Sequence, residues 1–205
     1  MANGNILRLT ECRRSDSKLF DFYSSVLASE LTIATLAQRA SKLFNFQGPV
    51  RFHICISHAK RVSINRRENL KEAVGKEFLL PLVAPKQKAA RNSQQDMMLF
   101  EGLELFGVTE HASNRGVKSG CLYTIEHLAR LNDCIKIQGI EKPFKLQEIQ
   151  RFFRLSYART YASCQGCEFD CAVCLSDTQH PKFSKRHLYV GLSRCKDAGL
   201  VRLEK

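Results

Sequence analysis

Apolar residues follow two different rhythms along this chain. Val50, Phe52, Ile54 and Ile56 alternate with Arg51, His53, Cys55 and Ser57, the two-residue period of a strand. Leu19, Phe20, Tyr23, Val26 and Leu27 recur instead at spacings that make one face of a helix, and Ser15, Asp16 or Ser17 can cap its start. Residues 32–44 continue as a second helix ending near Asn45, with Gly48 and Pro49 as a break. Ahead of both, residues 7–12 read as a short strand that runs into the basic pair Arg13 and Arg14. After the strand around Phe52, residues 57–70 predict a basic helix with Val62 and Leu70 facing inward.

From residue 75 to residue 144 the runs shorten. β-like stretches at 103–109, 121–126 and 134–137 are separated by turn material around Gly116 and Gly120. This pattern predicts a small β-rich insertion, with the α/β body made of residues 1–74 and 145–205. Residues 144–153 then make a short amphipathic helix that delivers the chain to an apolar strand at Leu155. A polar turn containing Gly166 follows, then a buried strand over 171–175, a helix capped by Ser184 that carries Arg194, and an edge strand at Val201 and Leu203. Turns at the carboxyl ends of strands are where open α/β sheets place their ligands.

Composition narrows the partners. At 205 residues and 44% hydrophobic content the chain can bury a sizeable core. No apolar run reaches membrane-spanning length and the polar start is unlike a signal peptide, so the expected setting is intracellular, away from membranes. A net charge of +12 favours a polyanion, and His58, Lys60, Arg61, Arg66 and Arg67 cluster on the basic helix. Such groups neutralise phosphates without reading sequence. Among nine cysteines, Cys164, Cys167, Cys171 and Cys174 are spaced suggestively for zinc. The short spacer leaves little chain to wrap a tetrahedral centre, and core packing is the expectation, with no metal site.

The chemistry-bearing residues then fall into place by resemblance. Ala158, Thr160, Gln165, Gly166, Glu168, Phe169 and Asp170 resemble motif V of superfamily 1 DNA helicases, the UvrD-like and RecD-like motors. Leu188, Tyr189, Val190, Leu192, Ser193 and Arg194 resemble motif VI, with Gly191 in place of the usual alanine. Residues 7–16 resemble motif IV, where Arg14 fits the phosphate-reaching arginine and Arg13 is the alternative if the register slips. Val62, Ile64 and Asn65 resemble the helix that follows motif IV. The insertion is similar in position to the SH3-like barrel of RecD-like helicases.

The resemblance implies a second RecA-like domain with a P-loop NTPase-type parallel sheet. It assigns Arg14 and Arg194 to catalysis on ATP, with Gly166 and Glu168 joining them in nucleotide binding. His58, Lys60, Arg61, Asn65, Thr160 and Gln165 would contact single-stranded DNA or another nucleic acid. ATP with Mg2+ would be shared with a first motor domain bearing Walker A and B motifs, in cis or in trans. No G-x-x-x-x-G-K-S/T occurs in the 205 residues, so this half alone is expected not to hydrolyse ATP. The implied setting is the nucleus or another DNA-containing compartment. A non-catalytic nucleic-acid-binding module derived from a helicase is the alternative.

Overall fold

The computed structural model describes residues 14–84, 94–108, 115–129 and 134–204. In chain order the elements begin α1 (Ser17–Val26), α2 (Ile33–Leu43), β1 (Phe52–Cys55), α3 (His58–Ala73), β2 (Leu80–Leu82), β3 (Met97–Leu99), β4 (Glu104–Gly107) and β5 (Leu122–Leu128). They continue β6 (Cys134–Ile137), β7 (Phe144–Lys145), α4 (Leu146–Phe152), β8 (Phe153–Leu155), β9 (Ala158–Thr160), β10 (Val173–Leu175), α5 (Lys185–Leu192) and β11 (Val201–Leu203). The strand expected over 7–12, together with Arg13, lies outside the described residues. The chain forms two compact units, one from residues 1–57 and 159–205 and one from residues 58–158.

The first unit is a mixed α/β fold. Its sheet has the order β11-β10-β1-β9, and β10 lies parallel to both β1 and β11. Every residue of β1 and β10 is buried, the signature of strands covered on both faces in a parallel sheet. Cys174 is buried mid-strand among them, its Sγ accepting from Ser176 Oγ at 3.8 Å. Leu19, Val26, Ala40, Phe44, Ile54, Leu175, Leu188 and Leu192 have no more than traces of exposed surface and form the core. Asp16 caps α1, its Oδ1 accepting from Leu19 N at 2.8 Å. Thr32 caps α2 through Thr35 N at 3.3 Å. Asp177, in the left-handed region at φ 64°, accepts from Ile56 N and Ser57 N at 2.9 and 3.2 Å and so ties the end of β10 to the end of β1.

The second unit is β-rich. A five-stranded antiparallel sheet has the order β7-β6-β5-β4-β8, beside the antiparallel pair β2-β3. The expected insertion is thus an open sheet whose last strand, β8, comes from beyond residue 144. Phe100, Leu103, Leu105, Ile135, Phe144 and Phe153 are fully buried within it. The apolar run entered at Leu155 is two strands, not one: β8 pairs with β4, and β9 resumes after Ser156 and Tyr157. The backbone amide at the resumption, Ala158 N, donates to Asn65 Oδ1 at 2.8 Å.

Helix α3 corrects the inward face expected for it. Leu70 is 46% exposed, and the buried stripe is Arg61, Ile64, Asn65, Asn69 and Ala73. Polar residues win that stripe because they complete backbone hydrogen bonds that would otherwise go unmade in the interior. Asn69 Oδ1 accepts from Met98 N at 2.7 Å, and its Nδ2 donates to Met98 O at 2.9 Å, in the manner of an added strand.

Gly191, on α5, faces the sheet with no room to spare. A Cβ there would stand 2.6 Å from Leu175 Cδ2 and 2.9 Å from Tyr161 Cε1, and both neighbours are themselves buried. Gly191→Ala is therefore expected to destabilise the fold by about 1–3 kcal/mol through overpacking. Urea unfolding of the two proteins measures this; equal midpoints would show that Leu175 and Tyr161 yield freely.

Candidate functional site

Three segments distant in sequence meet on the first unit. Asp16 N donates to Lys196 O at 2.9 Å, Ser15 Oγ donates to Cys195 O at 2.8 Å, and Ala198 N donates to Asp16 Oδ2. Asp16 thus caps α1 and fastens the start of that helix to the turn after α5. From the other side, Phe169 N donates to Arg194 O at 2.8 Å and Lys196 N donates to Phe169 O at 3.0 Å. The Phe169 ring stacks on Phe52 of β1, 4.2 Å between centroids. Residues 14–16, 168–169 and 194–198 are held as one corner.

On that corner Arg14 Nε donates to Glu168 Oε1 at 2.8 Å, with the two side chains 45% and 43% exposed. Arg194 belongs to the same cluster through its backbone pairing with Phe169. It lies past the end of α5 rather than within it, because Ser193 caps the helix. Its Nη2 donates to Ser193 Oγ at 3.3 Å, while its Nε is buried and has no hydrogen-bond partner among the described residues. A buried guanidinium nitrogen without an acceptor has a donor to offer an anion.

The turn between β9 and Phe169 is built by its own hydroxyls. Thr160 Oγ1 and Ser163 Oγ lie 3.0 Å apart, and Ser163 N and Cys164 N both donate to Thr160 O, at 2.9 and 3.1 Å. Thr160 is buried, so its hydroxyl shapes the turn from within, and Gln165 stands exposed beyond it. Cys167 N donates to Cys164 O at 3.0 Å across Gly166, which sits at φ +85°, a conformation that glycine adopts without strain. Arg159, unremarked in the sequence, donates from Nη1 to Cys167 Sγ at 3.0 Å. Burial pushes the Cys164 thiol up to about 12, aided by the nearby Cys167, and pushes the Cys195 and Cys174 thiols up as well. These are neutral packing groups. Among the described residues no group of three or more His, Cys, Asp or Glu is placed to hold a metal.

The other expected nucleic-acid residues lie on α3, in the second unit. His58 is exposed and Lys60 partly so. Arg61 is buried; burial first, and Arg61 second, lower the neighbouring Arg154 guanidinium to about 10. Asn65 has no exposed surface at all, and its amide is committed to Ala158 N and, at 3.4 Å, to Gln95 Oε1. Neither Arg61 nor Asn65 offers a surface to nucleic acid; both were expected there because a basic helix in the sequence does not reveal which face is covered.

A parallel-sheet unit interrupted by a β-rich unit is a fold similar to about half of several solved helicase structures. Its solved neighbours include Pif1 helicases. One, from a structural study of forked-duplex unwinding by two coordinating Pif1 helicases, aligns at TM-score 0.67 and 19% identity over 95% of this chain and 48% of its own. Pif1 from Bacteroides, in complex with ADP-AlF3 and single-stranded DNA, aligns at 0.66 and 18% over 97% of this chain and 52% of its own. Pif1 from Candida albicans aligns at 0.64 and 12% over 94% of this chain and 54% of its own. The chain spans about half the length of these structures. No protein-family model and no curated protein matches it.

The two polar features of the corner should differ in structural weight. Glu168→Gln removes a half-exposed ion pair and is expected to cost less than about 1 kcal/mol of stability. Asp16→Ala removes a helix cap and a second backbone acceptor together, and is expected to cost about 1–3 kcal/mol. Thermal unfolding of both variants tests the ranking. If Glu168→Gln proves the more damaging, the Arg14–Glu168 pair is a structural tie.

Proposed function

We propose that this chain is the second RecA-like lobe of an ATP-dependent superfamily 1 DNA helicase, with the β-rich unit as its SH3-like insertion. The observation that carries this reading is the corner where Arg14 meets Glu168 beside the backbone of Arg194, on a fold shared with half of a Pif1 helicase. The lobe supplies one wall of a nucleotide cleft. The other wall, with the P-loop and the magnesium ligands, belongs to a first motor lobe in cis or in trans.

In this reading Arg194 directs its guanidinium at the γ-phosphate, where positive charge is worth most as charge develops during transfer. The buried Nε without an acceptor fits that role. Arg14 acts alongside it. Before nucleotide arrives, Arg14 is held by Glu168. When Arg14 turns to phosphate, Glu168 is released to accept a hydrogen bond from the ribose. The left-handed Gly166 lets the backbone approach closely. Mg2+ would neutralise phosphate charge from the first lobe, and no residue of this chain is assigned to it.

Single-stranded DNA passes, in the same reading, by Gln165 with Thr160 shaping the turn beneath it, and by His58 and Lys60 on α3. These are phosphate and sugar contacts that position a strand without reading its sequence. The protein would act in a compartment that holds DNA.

Two measurements test the proposal. The isolated chain should bind single-stranded DNA with an affinity that falls steeply with salt and should turn over no ATP. DNA-stimulated hydrolysis by the chain alone would overturn the reading. In an enzyme completed by a P-loop lobe, Arg194→Ala should lower turnover by on the order of 10³-fold and leave nucleotide affinity nearly unchanged. Equal turnover would remove Arg194 from the site and favour a non-catalytic nucleic-acid-binding module.

A further inference from the structure

We propose that Cys164 and Cys167 are a reversible thiol–disulfide site, built into the turn that carries Gly166 and Glu168 and oxidised by small-molecule disulfides. The pair is spaced as Cys-Gln-Gly-Cys, and the hydrogen bond from Cys167 N to Cys164 O at 3.0 Å closes the four residues into a β-turn. Such a turn brings its first and last Cα atoms within about 7 Å. A disulfide spans Cα separations of about 4.4–6.8 Å. The turn therefore places the two Cα atoms within the separations a disulfide can span, and the left-handed Gly166 inside the turn permits it.

The two thiols have different environments, as a dithiol that works in sequence requires. Cys167 is partly exposed and receives Arg159 Nη1 on its sulfur at 3.0 Å. Its sulfur is thus the one within reach of solvent. Cys164 is fully buried and donates its S–H to Tyr161 O at 3.2 Å. An external oxidant reaches the first sulfur and not the second.

The chemistry balances with a disulfide RSSR, oxidised glutathione for example, as co-reactant. The Cys167 thiolate attacks one sulfur, the S–S bond of RSSR breaks, and one RS⁻ leaves. The Cys164 sulfur then attacks Cys167 Sγ and expels the second RS⁻, which takes up the Cys164 proton as it leaves. Two cysteine thiols are oxidised and one RSSR is reduced to two thiols. The linkage closes a loop of only four residues, so it changes the chemical state of the turn more than the stability of the fold. Its product is local: it alters the sulfur that Arg159 contacts, and the residue after Cys167 is Glu168. None of this depends on the helicase reading.

The test uses the full 205-residue chain equilibrated with oxidised glutathione, after which free thiols are alkylated and peptides are mapped by mass. The wild type should show Cys164 and Cys167 joined to each other, and dithiothreitol should restore both thiols. Cys164→Ser should arrest with one glutathione on Cys167. Cys167→Ser should leave Cys164 reduced. Linkage of either thiol to Cys171 or Cys195 instead, or both thiols free after equilibration of the wild type, would overturn the proposal without any variant having to fold.

Discussion

Two backbone hydrogen bonds, Phe169 N to Arg194 O and Lys196 N to Phe169 O, hold the charged corner of the first unit in place. They form a one-residue parallel bridge between Phe169 and Cys195, too short to count as a strand. Its anchor is apolar: Phe169 is stacked on Phe52 of β1, so the bridge is nailed to the central sheet by buried aromatic area. Glu168 and Arg194, one on each side of the bridge, inherit their position from it. A charged side chain on a free loop would explore many rotamers; here the backbones beneath the charges are set by the core.

Asp16 closes the same corner from the third segment, and it shows how capping serves tertiary structure. One carboxylate oxygen satisfies the exposed start of α1, and the other takes the amide of Ala198. A helix start and a turn nearly the whole chain length away thereby share one acceptor. Arg14, which precedes this clamp by a single residue beyond Ser15, cannot drift far from Glu168 while it holds. The ion pair contributes little to stability of its own at such exposure; the clamp is what fixes its partners.

Much of this arrangement was legible in the sequence, for identifiable reasons. The strand around Phe52, the helices at 17–26 and 33–43, the buried strand at 173–175 and the edge strand at 201–203 all carry periodic or fully apolar runs. Arg14, Glu168 and Arg194 were grouped by the resemblance of their segments to helicase motifs and not by any local pattern of periodicity or capping. What stayed hidden depends on tertiary partners. Asn65 and Asn69 are inward because particular backbone groups, Ala158 N and Met98 N among them, need acceptors, and no local pattern announces that need. The division of the run after Phe153 into β8 and β9 is hidden likewise, since both halves are equally apolar and differ only in which strand they pair with.

Gly191 brings the two kinds of constraint together. Tyr161 and Leu175 leave no room for a Cβ at that position. Tyr161 opens the turn that leads to Cys164, Gly166 and Glu168, and its hydroxyl donates to Ser176 O at 3.3 Å inside the core. A ring of that size against α5 demands the smallest residue on the facing helix. The helix, so seated, ends at Ser193 and releases Arg194 just where Phe169 pairs with it. Glycine at 191 is thus the packing counterpart of Tyr161, and the seating of α5 that results sets where Arg194 stands relative to Phe169 and Glu168.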